Sequence, residues 1–296
     1  MNILLTNDDG YQSIGLMSLR RGLMQAGIHV TVVAPEVPRS GASRSATLNR
    51  PVTVERVDGD DTNPVYVCDG TPVDCVRVAL LSELAPDVAA VVSGINQGAN
   101  LGEETTYSGT VGAGIEGALL GLPALCLSQQ SCDGRFRLVD LVGYDWTWSV
   151  AAGLILVRRM MHEPIASPAV INVNIPGIGV TGPAAVTTLG RRAYRRGSIR
   201  PVATERGKGY YTFGFDLDDD PPIAPGDSTD YAAIAAGRIS LTPIPLPWDD
   251  KTVATQVDEW VRRAAVCLDT ELPRELALAT RLGPGDQVRA RSTLRR

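Results

Sequence analysis

Two adjacent carboxylates follow the first predicted strand of this chain. The strand covers residues 2–6, and Asn7, Asp8, Asp9 and Gly10 come next. Neighbouring side chains on a strand point to opposite faces, so Asp8 and Asp9 converge only where the strand has ended and the chain turns. Two close carboxylates repel each other, and a bound divalent cation removes that conflict. The pair therefore predicts a cation site, with a solvated turn before the next helix as the alternative.

Two later loops carry residues that suit an anion or a hard cation. They cover residues 35–47 and 93–107, and each follows a predicted strand. Small residues let backbone N–H groups approach an anion, and an asparagine carbonyl is a good ligand for a hard cation. The helix predicted after the second loop adds the free N–H groups of its first turn, which bind phosphate. The residues concerned are Arg39-Ser40-Gly41-Ala42-Ser43, Ser93-Gly94-Ile95-Asn96 and Tyr107-Ser108-Gly109-Thr110.

The residue types in these loops indicate phosphoryl-transfer chemistry. His29 and His162 are the only histidines, which argues against a Ser-His-Asp triad and an imidazole-rich zinc site. Oxygen ligands without His or Cys select Mg²⁺, Mn²⁺ or Ca²⁺ over zinc. The chain has no Walker A sequence. A G-x-G-x-x-G match at residues 112–117 does not directly follow a strand, so it favours close helix packing over dinucleotide binding.

Composition predicts a folded cytoplasmic protein. The chain has 296 residues, and 28 Lys and Arg against 33 Asp and Glu give a net charge of −5. That balance argues against a large nucleic-acid partner. Five irregularly spaced cysteines argue against a disulfide framework and fit a reducing compartment. The N-terminus lacks the basic region of a signal peptide, and no apolar run is long enough to span a membrane.

The predicted elements alternate between strand and helix up to about residue 178. This alternation predicts an α/β fold with a doubly wound, mostly parallel sheet and helices on both faces. The three long loops would then leave the carboxyl ends of strands, where such sheets bind ligands. We predict four segments: a core over 1–190, a β-rich arm with a strand returning to the core over 191–250, a terminal helical segment over 251–282, and a disordered tail over 283–296. Helices are predicted over 15–26, 71–84, 110–120, 138–161 and 253–268, and strands over 2–6, 29–34, 52–57, 65–68, 88–92, 124–128, 169–174, 210–213 and 240–243.

The motifs resemble those of the SurE family of metal-dependent 5′-nucleotidases. The resemblance extends from residue 2 to about 250, and it implies a Rossmann-like core. It also implies a phosphomonoesterase that hydrolyses nucleoside 5′-monophosphates to nucleoside and phosphate, with 3′-nucleotides as further candidate substrates. Besides the loops above, it rests on Gly70-Thr71-Pro72-Val73-Asp74-Cys75-Val76, Asn172-Val173-Asn174-Ile175-Pro176 and Thr229-Asp230.

The resemblance also implies a set of site residues. One Mg²⁺ or Mn²⁺ per subunit would be held by Asp8, Asp9, Ser40 and Asn96, and the catalytic residues would be Asp8, Asp9 and Asn96. The substrate phosphate would be surrounded by Gly41, Ala42, Ser43, Ser108, Gly109 and Thr110. The last thirty or so residues have no counterpart in the family, and Gly114 stands where the family usually has alanine.

The sequence leaves two alternative functions open, and it also predicts an oligomer. The chain could be a nucleotide-binding regulatory module with little turnover, or a phosphatase of a specialised phosphorylated metabolite. Residues 191–250 mix a basic stretch, aromatic residues and an acidic loop, and are too polar to form a core of their own. We therefore expect this segment to contact a second subunit in a homo-oligomer, a dimer or a tetramer.

Overall fold

Short runs of buried, branched residues form the central strands. Ile3, Leu4 and Leu5 in the first strand are fully buried, as expected for a parallel strand with helices on both faces. The strands are β1 (Asn2–Thr6), β2 (His29–Pro35), β3 (Val54–Asp58), β4 (Val65–Cys68), β5 (Val88–Gln97), β6 (Ala124–Gln129), β7 (Ala169–Ile175), β8 (Ala185–Val186), β9 (Pro201–Glu205), β10 (Lys208–Tyr211) and β11 (Ser240–Pro245).

Most strands join one mixed sheet. A computed structural model describes residues 2–136, 143–165, 169–193, 201–211, 223–246 and 251–281. Within them, nine strands are ordered β3-β4-β2-β1-β5-β6-β7-β11-β8. The neighbours from β4 to β7 are parallel, whereas β3 and β11 run antiparallel to β4 and β7. The predicted α/β fold with a Rossmann-like, mostly parallel sheet is confirmed.

Helices cover both faces of this sheet. On one face, Leu19, Ile155 and Trp260 belong to a buried apolar cluster with the sheet. On the other face, Val76 and Val111 do the same. The first face is covered by α1 (Ile14–Gln25), α4 (Trp146–His162) and α6 (Lys251–Arg281), and the second by α2 (Pro72–Leu81) and α3 (Gly109–Leu119).

Glycines allow α3 to lie close against the sheet. A Cβ added at Gly114 would lie 2.3 Å from Sγ of Cys126 in β6, and one at Gly117 would lie 2.6 Å from Cγ2 of Val91 in β5. The G-x-G-x-x-G match therefore lies inside a helix that packs on two strands. This close packing sets the position of the N-terminus of α3 relative to the ends of β1 and β5.

In the described residues, four predicted element boundaries are wrong by three residues or more. The strand β5 extends to Gln97 instead of ending at residue 92, so Asn96 lies on a strand and not in a loop. The helix α2 ends at Leu81, three residues early. The helix α4 begins at Trp146, because the Asp145 carboxylate accepts from the N–H of Thr147 and caps it there. Residues 138–142 of the predicted helix lie outside the described residues.

The fourth difference is the length of α6, which continues to Arg281 instead of ending at residue 268. A proline inside a helix removes one backbone hydrogen bond, and Pro273 stands there. Packing compensates, since Leu272 is buried and Arg158 of α4 forms an ion pair with Glu275 at 2.6 Å. None of the helices in the described segments is long and apolar enough to cross a bilayer.

The segment predicted as an arm includes elements of two kinds. β9 and β10 form an antiparallel hairpin in which Tyr210 and Tyr211 are about half exposed. In contrast, β11 pairs with β7, and a helix absent from the sequence prediction, α5 (Asp230–Ala235), packs on β11 and β7. The acidic loop at 216–220 and the tail at 283–296 lie outside the described residues, so the four-segment division stays a prediction.

Candidate active site

The predicted loops meet where the chain order of the sheet reverses. β1 pairs with β2 on one side and with β5 on the other, and both pairs are parallel. Asp8 and Asp9 follow β1, and Asn96 lies near the end of β5. Ligands of open α/β sheets bind in the crevice at such a switch point, outside the carboxyl ends of the strands.

Asp8 is buried against the N-terminus of α3. One of its oxygens, Oδ2, accepts a hydrogen bond from the backbone N–H of Gly109 at 3.0 Å, and Oδ1 accepts from the hydroxyl of Thr110. The approach requires glycine, because a Cβ at Gly109 would lie 2.7 Å from Cβ of Asp8. Burial raises the pKa of Asp8, and the hydrogen bonds from Thr110 and Gly109 act against that increase.

Asp9 is held from the other side of the crevice. Its Oδ2 accepts from the backbone N–H of Gln97 at 2.9 Å. Burial, followed by the charge of Asp8, raises the pKa of Asp9 to about 7. Ionisation of both carboxyl groups is therefore unfavourable, and a nearby positive charge would favour it.

Asn96 completes a cluster rich in hydrogen-bond acceptors. Its Nδ2 donates to the carbonyl of Gly98 at 2.8 Å, which orients Oδ1 towards the hydroxyl of Thr110 at 3.2 Å. The single hydroxyl hydrogen of Thr110 serves either Asp8 or Asn96 at one time. The amide oxygen of the neighbouring Asn7 is also buried without a hydrogen-bond partner. The oxygens here outnumber the donors, as a site for a hard cation requires.

The donor set fits a divalent cation that prefers oxygen. Carboxylate, amide and hydroxyl oxygens are the ligands of Mg²⁺ and Mn²⁺. In the described part of the chain, no three His, Cys, Asp or Glu side chains form a group that could hold a metal. The predicted ligand set contains only two residues of those types, Asp8 and Asp9, and takes its other oxygens from Ser40 and Asn96.

The loop after β2 reaches the same edge through backbone contacts. The N–H of Arg39 donates to the carbonyl of Asp8 at 2.7 Å, and Ser40 follows with an exposed side chain. The N–H of Ser43 donates to the carbonyl of Tyr107 at 3.0 Å, and its hydroxyl donates to the carbonyl of Thr106 at 2.6 Å. The loop is therefore joined to β1 at one end and to the residues before α3 at the other.

Internal hydrogen bonds occupy part of the predicted phosphate-binding backbone. The N–H of Ala42 donates to the carbonyl of Arg39 at 3.0 Å, and that of Ser43 is bonded to Tyr107. In the described structure, the N–H of Gly41 has no protein partner. The Ser108 hydroxyl caps α3 by accepting from the N–H of Val111 at 3.1 Å, and its own hydrogen is left to donate.

A buried cluster that the sequence analysis did not predict holds the loop before α3. We call Glu104, Arg192, Asp230 and Tyr231 the Arg192 cluster. Nε of Arg192 lies 2.5 Å from Oε1 of Glu104. The Asp230 carboxylate accepts from the N–H groups of Gly102 at 2.7 Å and Gly190 at 2.8 Å. Burial raises the pKa of Glu104 to about 7, and Arg192 acts against that increase.

A second unpredicted network lies under the same loop. The N–H of Asn100 donates to Oδ1 of Asn174 at 2.8 Å, and its carbonyl accepts from the side-chain amides of Asn172 and Asn174. The motifs Asn172-Val173-Asn174 and Thr229-Asp230 were visible in the sequence. They gave no indication of which backbone groups they would bind, since those groups are far away along the chain.

Comparisons with known proteins agree with this architecture. Residues 3–196 match the family model described as Survival protein SurE. The 5′-nucleotidase SurE of Herpetosiphon aurantiacus is 40% identical over 271 residues, covering 90% of this chain and 98% of the relative. That of Laribacter hongkongensis is 38% identical over 264 residues, covering 88% and 99%.

A solved structure shows the same fold. The crystal structure of the SurE protein from Aquifex aeolicus matches with a TM-score of 0.68 and 31% sequence identity. The match covers 88% of this chain and 99% of the other. The family model, the curated relatives and this crystal structure together show that the chain belongs to the SurE family.

Proposed function

We propose that this protein is a metal-dependent 5′-nucleotidase that hydrolyses nucleoside 5′-monophosphates to nucleoside and inorganic phosphate. One observation carries the proposal: at the switch point of the sheet, Asp8 and Asn96 contact the N-terminus of α3, and Asp9 is bonded to the end of β5 beside Asn96. Such a place combines oxygen ligands for a cation with N–H groups for a phosphate. The names of the relatives, 5′-nucleotidase SurE, support the same activity.

Asp8, Asp9, Ser40 and Asn96 would hold one Mg²⁺ or Mn²⁺. When bound, such a cation polarises a phosphoryl oxygen and lowers the pKa of a bound water. Both oxygens of Asp8 already accept hydrogen bonds, from Gly109 and Thr110. Within the described residues, Asp9 has a hydrogen-bond partner only on Oδ2, so its Oδ1 is the oxygen left to bind the cation or to take a proton from water.

The chain's own donors would bind the substrate phosphate. The N–H of Gly41 and the hydroxyl hydrogen of Ser108 have no partner in the described residues and lie on the two segments that meet at the site. Gly109, Thr110, Ala42 and Ser43 would shape the same cradle through their backbone. Donors fixed in advance stabilise charge on the equatorial oxygens without reorganisation during the reaction.

A metal titration tests this function. Phosphate release from AMP and GMP is measured after treatment with EDTA and again with increasing Mg²⁺ or Mn²⁺. We expect no turnover with EDTA, recovery with either ion, and tighter binding of Mn²⁺, which follows the usual affinity order. Binding of AMP without phosphate release would instead indicate a regulatory module. Faster turnover of another phosphomonoester in a substrate panel, which includes 3′-nucleotides, would indicate a specialised metabolite.

The protein would act as a homo-oligomer. The aromatic residues Tyr210 and Tyr211 lie on the β9–β10 hairpin. Their side chains are about half exposed in the described part of the chain. We expect this hairpin to contact a second subunit, because exposed aromatic side chains are typical of interfaces. Light scattering at micromolar concentration measures the state, and a fully active monomer would exclude this assembly.

A further inference from the structure

The turn formed by residues 40–43 needs support from outside. Ser43 has a φ of 55°, in the left-handed region, which is unfavourable for a residue other than glycine. The turn is bonded to Asp8 through Arg39 and to Tyr107 through Ser43. Asp8 is buried, whereas Arg39 and Ser43 are half-buried and Tyr107 is exposed. A turn in a strained conformation keeps its shape only when its surroundings stabilise it.

Arg44, the next residue, provides a charged contact of this kind. Its Nε lies 3.3 Å from Oε2 of Glu116, a carboxylate that is only 5% exposed on α3. Gly112 allows the approach, because a Cβ there would lie 2.6 Å from the carbonyl oxygen of Ser43 and 3.2 Å from Cα of Arg44. Residues four apart lie on one face of a helix. Arg44 therefore runs along α3 from Gly112 towards Glu116, away from Ser108 at the helix N-terminus.

The same carboxylate has a second cationic partner. Nη1 of Arg77, on α2, lies 2.7 Å from Oε1 of Glu116. Arg77 and Arg44 are similarly exposed, at 49% and 45% of the side chain. Loss of either arginine leaves Glu116 with one partner. Only Arg44 directly follows the turn in the chain. Replacement of Arg77 therefore removes one partner of Glu116 without releasing the turn, whereas replacement of Arg44 does both.

We propose that Arg44 is a positioning residue for phosphate binding: its ion pair with Glu116 fastens the 40–43 turn to α3, so that the free N–H of Gly41 is held ready for the substrate phosphate. This role rests on the function proposed above for the turn. Arg44 does not touch the substrate, because its guanidinium points along α3 away from the helix N-terminus. It lowers the cost of ordering the turn before the phosphate arrives.

The test compares Arg44→Gln with Arg77→Gln. For Arg44→Gln we expect the KM for AMP and the Kd for inorganic phosphate with Mg²⁺ to rise by about fivefold, the size of a weak ion pair, while kcat changes little. Arg77→Gln should leave both constants unchanged. Arg44→Lys should recover most of the loss, because the charge is kept. Equal effects of the two Gln variants, or no effect of Arg44→Gln, would overturn the proposal.

Hydrogen exchange separates this proposal from the function itself. Exchange of the amides of residues 42–45 is measured in the metal-free protein without substrate. We expect it to be about fivefold faster in Arg44→Gln than in the parent chain and unchanged in Arg77→Gln. If the parent chain released no phosphate from AMP, the proposed function would fail, whereas exchange and phosphate binding would still decide the role of Arg44. Unchanged exchange in Arg44→Gln would refute that role even in an active enzyme.

Discussion

Two groups of buried acids lie around the loop that precedes α3, and they differ in how their charge is compensated. In the Arg192 cluster, Glu104 has an arginine partner, and Asp230 accepts backbone N–H groups from two separate segments. In the pair Asp8 and Asp9, the described structure supplies hydrogen-bond donors and no cationic side chain. In the first group, the chain itself provides a partner for each acid: a charge for Glu104 and backbone N–H groups for Asp230. For the second group, we propose that a cation from outside the chain compensates the charge.

This difference separates a structural role from a chemical one. A buried ion pair with satisfied hydrogen bonds holds one arrangement of the chain, and removal of one partner leaves an uncompensated charge. Burial raises the pKa values of both Asp8 and Asp9, the charge of Asp8 raises that of Asp9 further, and a nearby cation would favour the ionised form of both. We therefore expect substitutions in the Arg192 cluster to change stability, and substitutions at Asp8 or Asp9 to change metal binding and turnover.

The largest effect is expected for Arg192→Gln. It leaves Glu104 buried without its charged partner, which typically costs about 3–5 kcal/mol of unfolding free energy. Chemical denaturation measures the loss, and the exposed neighbour in Arg191→Gln is the control. The metal affinity of the folded variant should stay close to that of the parent chain. If Arg192→Gln lost metal binding but kept its stability, the Arg192 cluster would not have the purely structural role assigned to it.

Asp8→Asn should reduce turnover by at least about a hundredfold. It keeps the size of the side chain and removes one charge, a loss similar to that of one transition-state charge contact, roughly 2.7–4 kcal/mol. Thermal unfolding of the metal-free variant should occur at the same or a higher temperature, because carboxylate repulsion is relieved. Asp61→Asn, at a side chain that is 96% exposed, controls for net charge. Parent-like activity and metal dependence in Asp8→Asn would show that the cation lies elsewhere.

The metal-free protein should lose stability as the pH rises from about 4 to about 7. The pKa of Asp9 is raised from 3.8 to about 7 in the folded chain, so the folded state binds the proton more tightly than the unfolded state. The stabilisation is complete below pH 3.8 and is lost as the pH rises through the folded pKa, at most about 1.4 kcal/mol per pH unit. Unfolding of the parent chain is compared with that of Asp9→Asn, in EDTA and in saturating Mg²⁺. The difference in slope should be present in EDTA and absent with Mg²⁺.

Asn96→Ala should have the smallest effect of the four. It removes a neutral oxygen from the proposed ligand set, and we expect metal affinity to fall by about tenfold while the carboxylates stay in place. Calorimetric titration with Mn²⁺ measures this. Gln97→Ala is the control, because it truncates an exposed side chain and keeps the backbone N–H that binds Asp9. A larger loss than that of Asp8→Asn would mean that the amide, and not the carboxylates, dominates the site.

Local patterns predicted much of this fold and part of the site. The branched run at 29–34 and the Thr71-Pro72 start of α2 are both present at nearly the predicted residues. The predicted end of β5 was wrong because Ser93, Gly94 and Asn96 are typical of turns, whereas in the sheet Ser93 and Asn96 pair with β6 on either side of an irregularity. The helix α5 is only six residues long, too short for a periodic signal, and it is stabilised by the burial of Tyr231 and Ile234.

The sequence by itself determined the chemistry available to this protein: two carboxylates after a strand, few histidines, small residues in the loops, and an alternation that requires a parallel sheet. Only the tertiary structure decided which groups meet. Asp8 is bonded to Gly109, 101 residues away, because glycines in α3 let that helix lie close to the sheet. Asp230 reaches the N–H of Gly102 across 128 residues. Such contacts depend on how helices pack on strands, and packing is a property of the whole core rather than of any one segment.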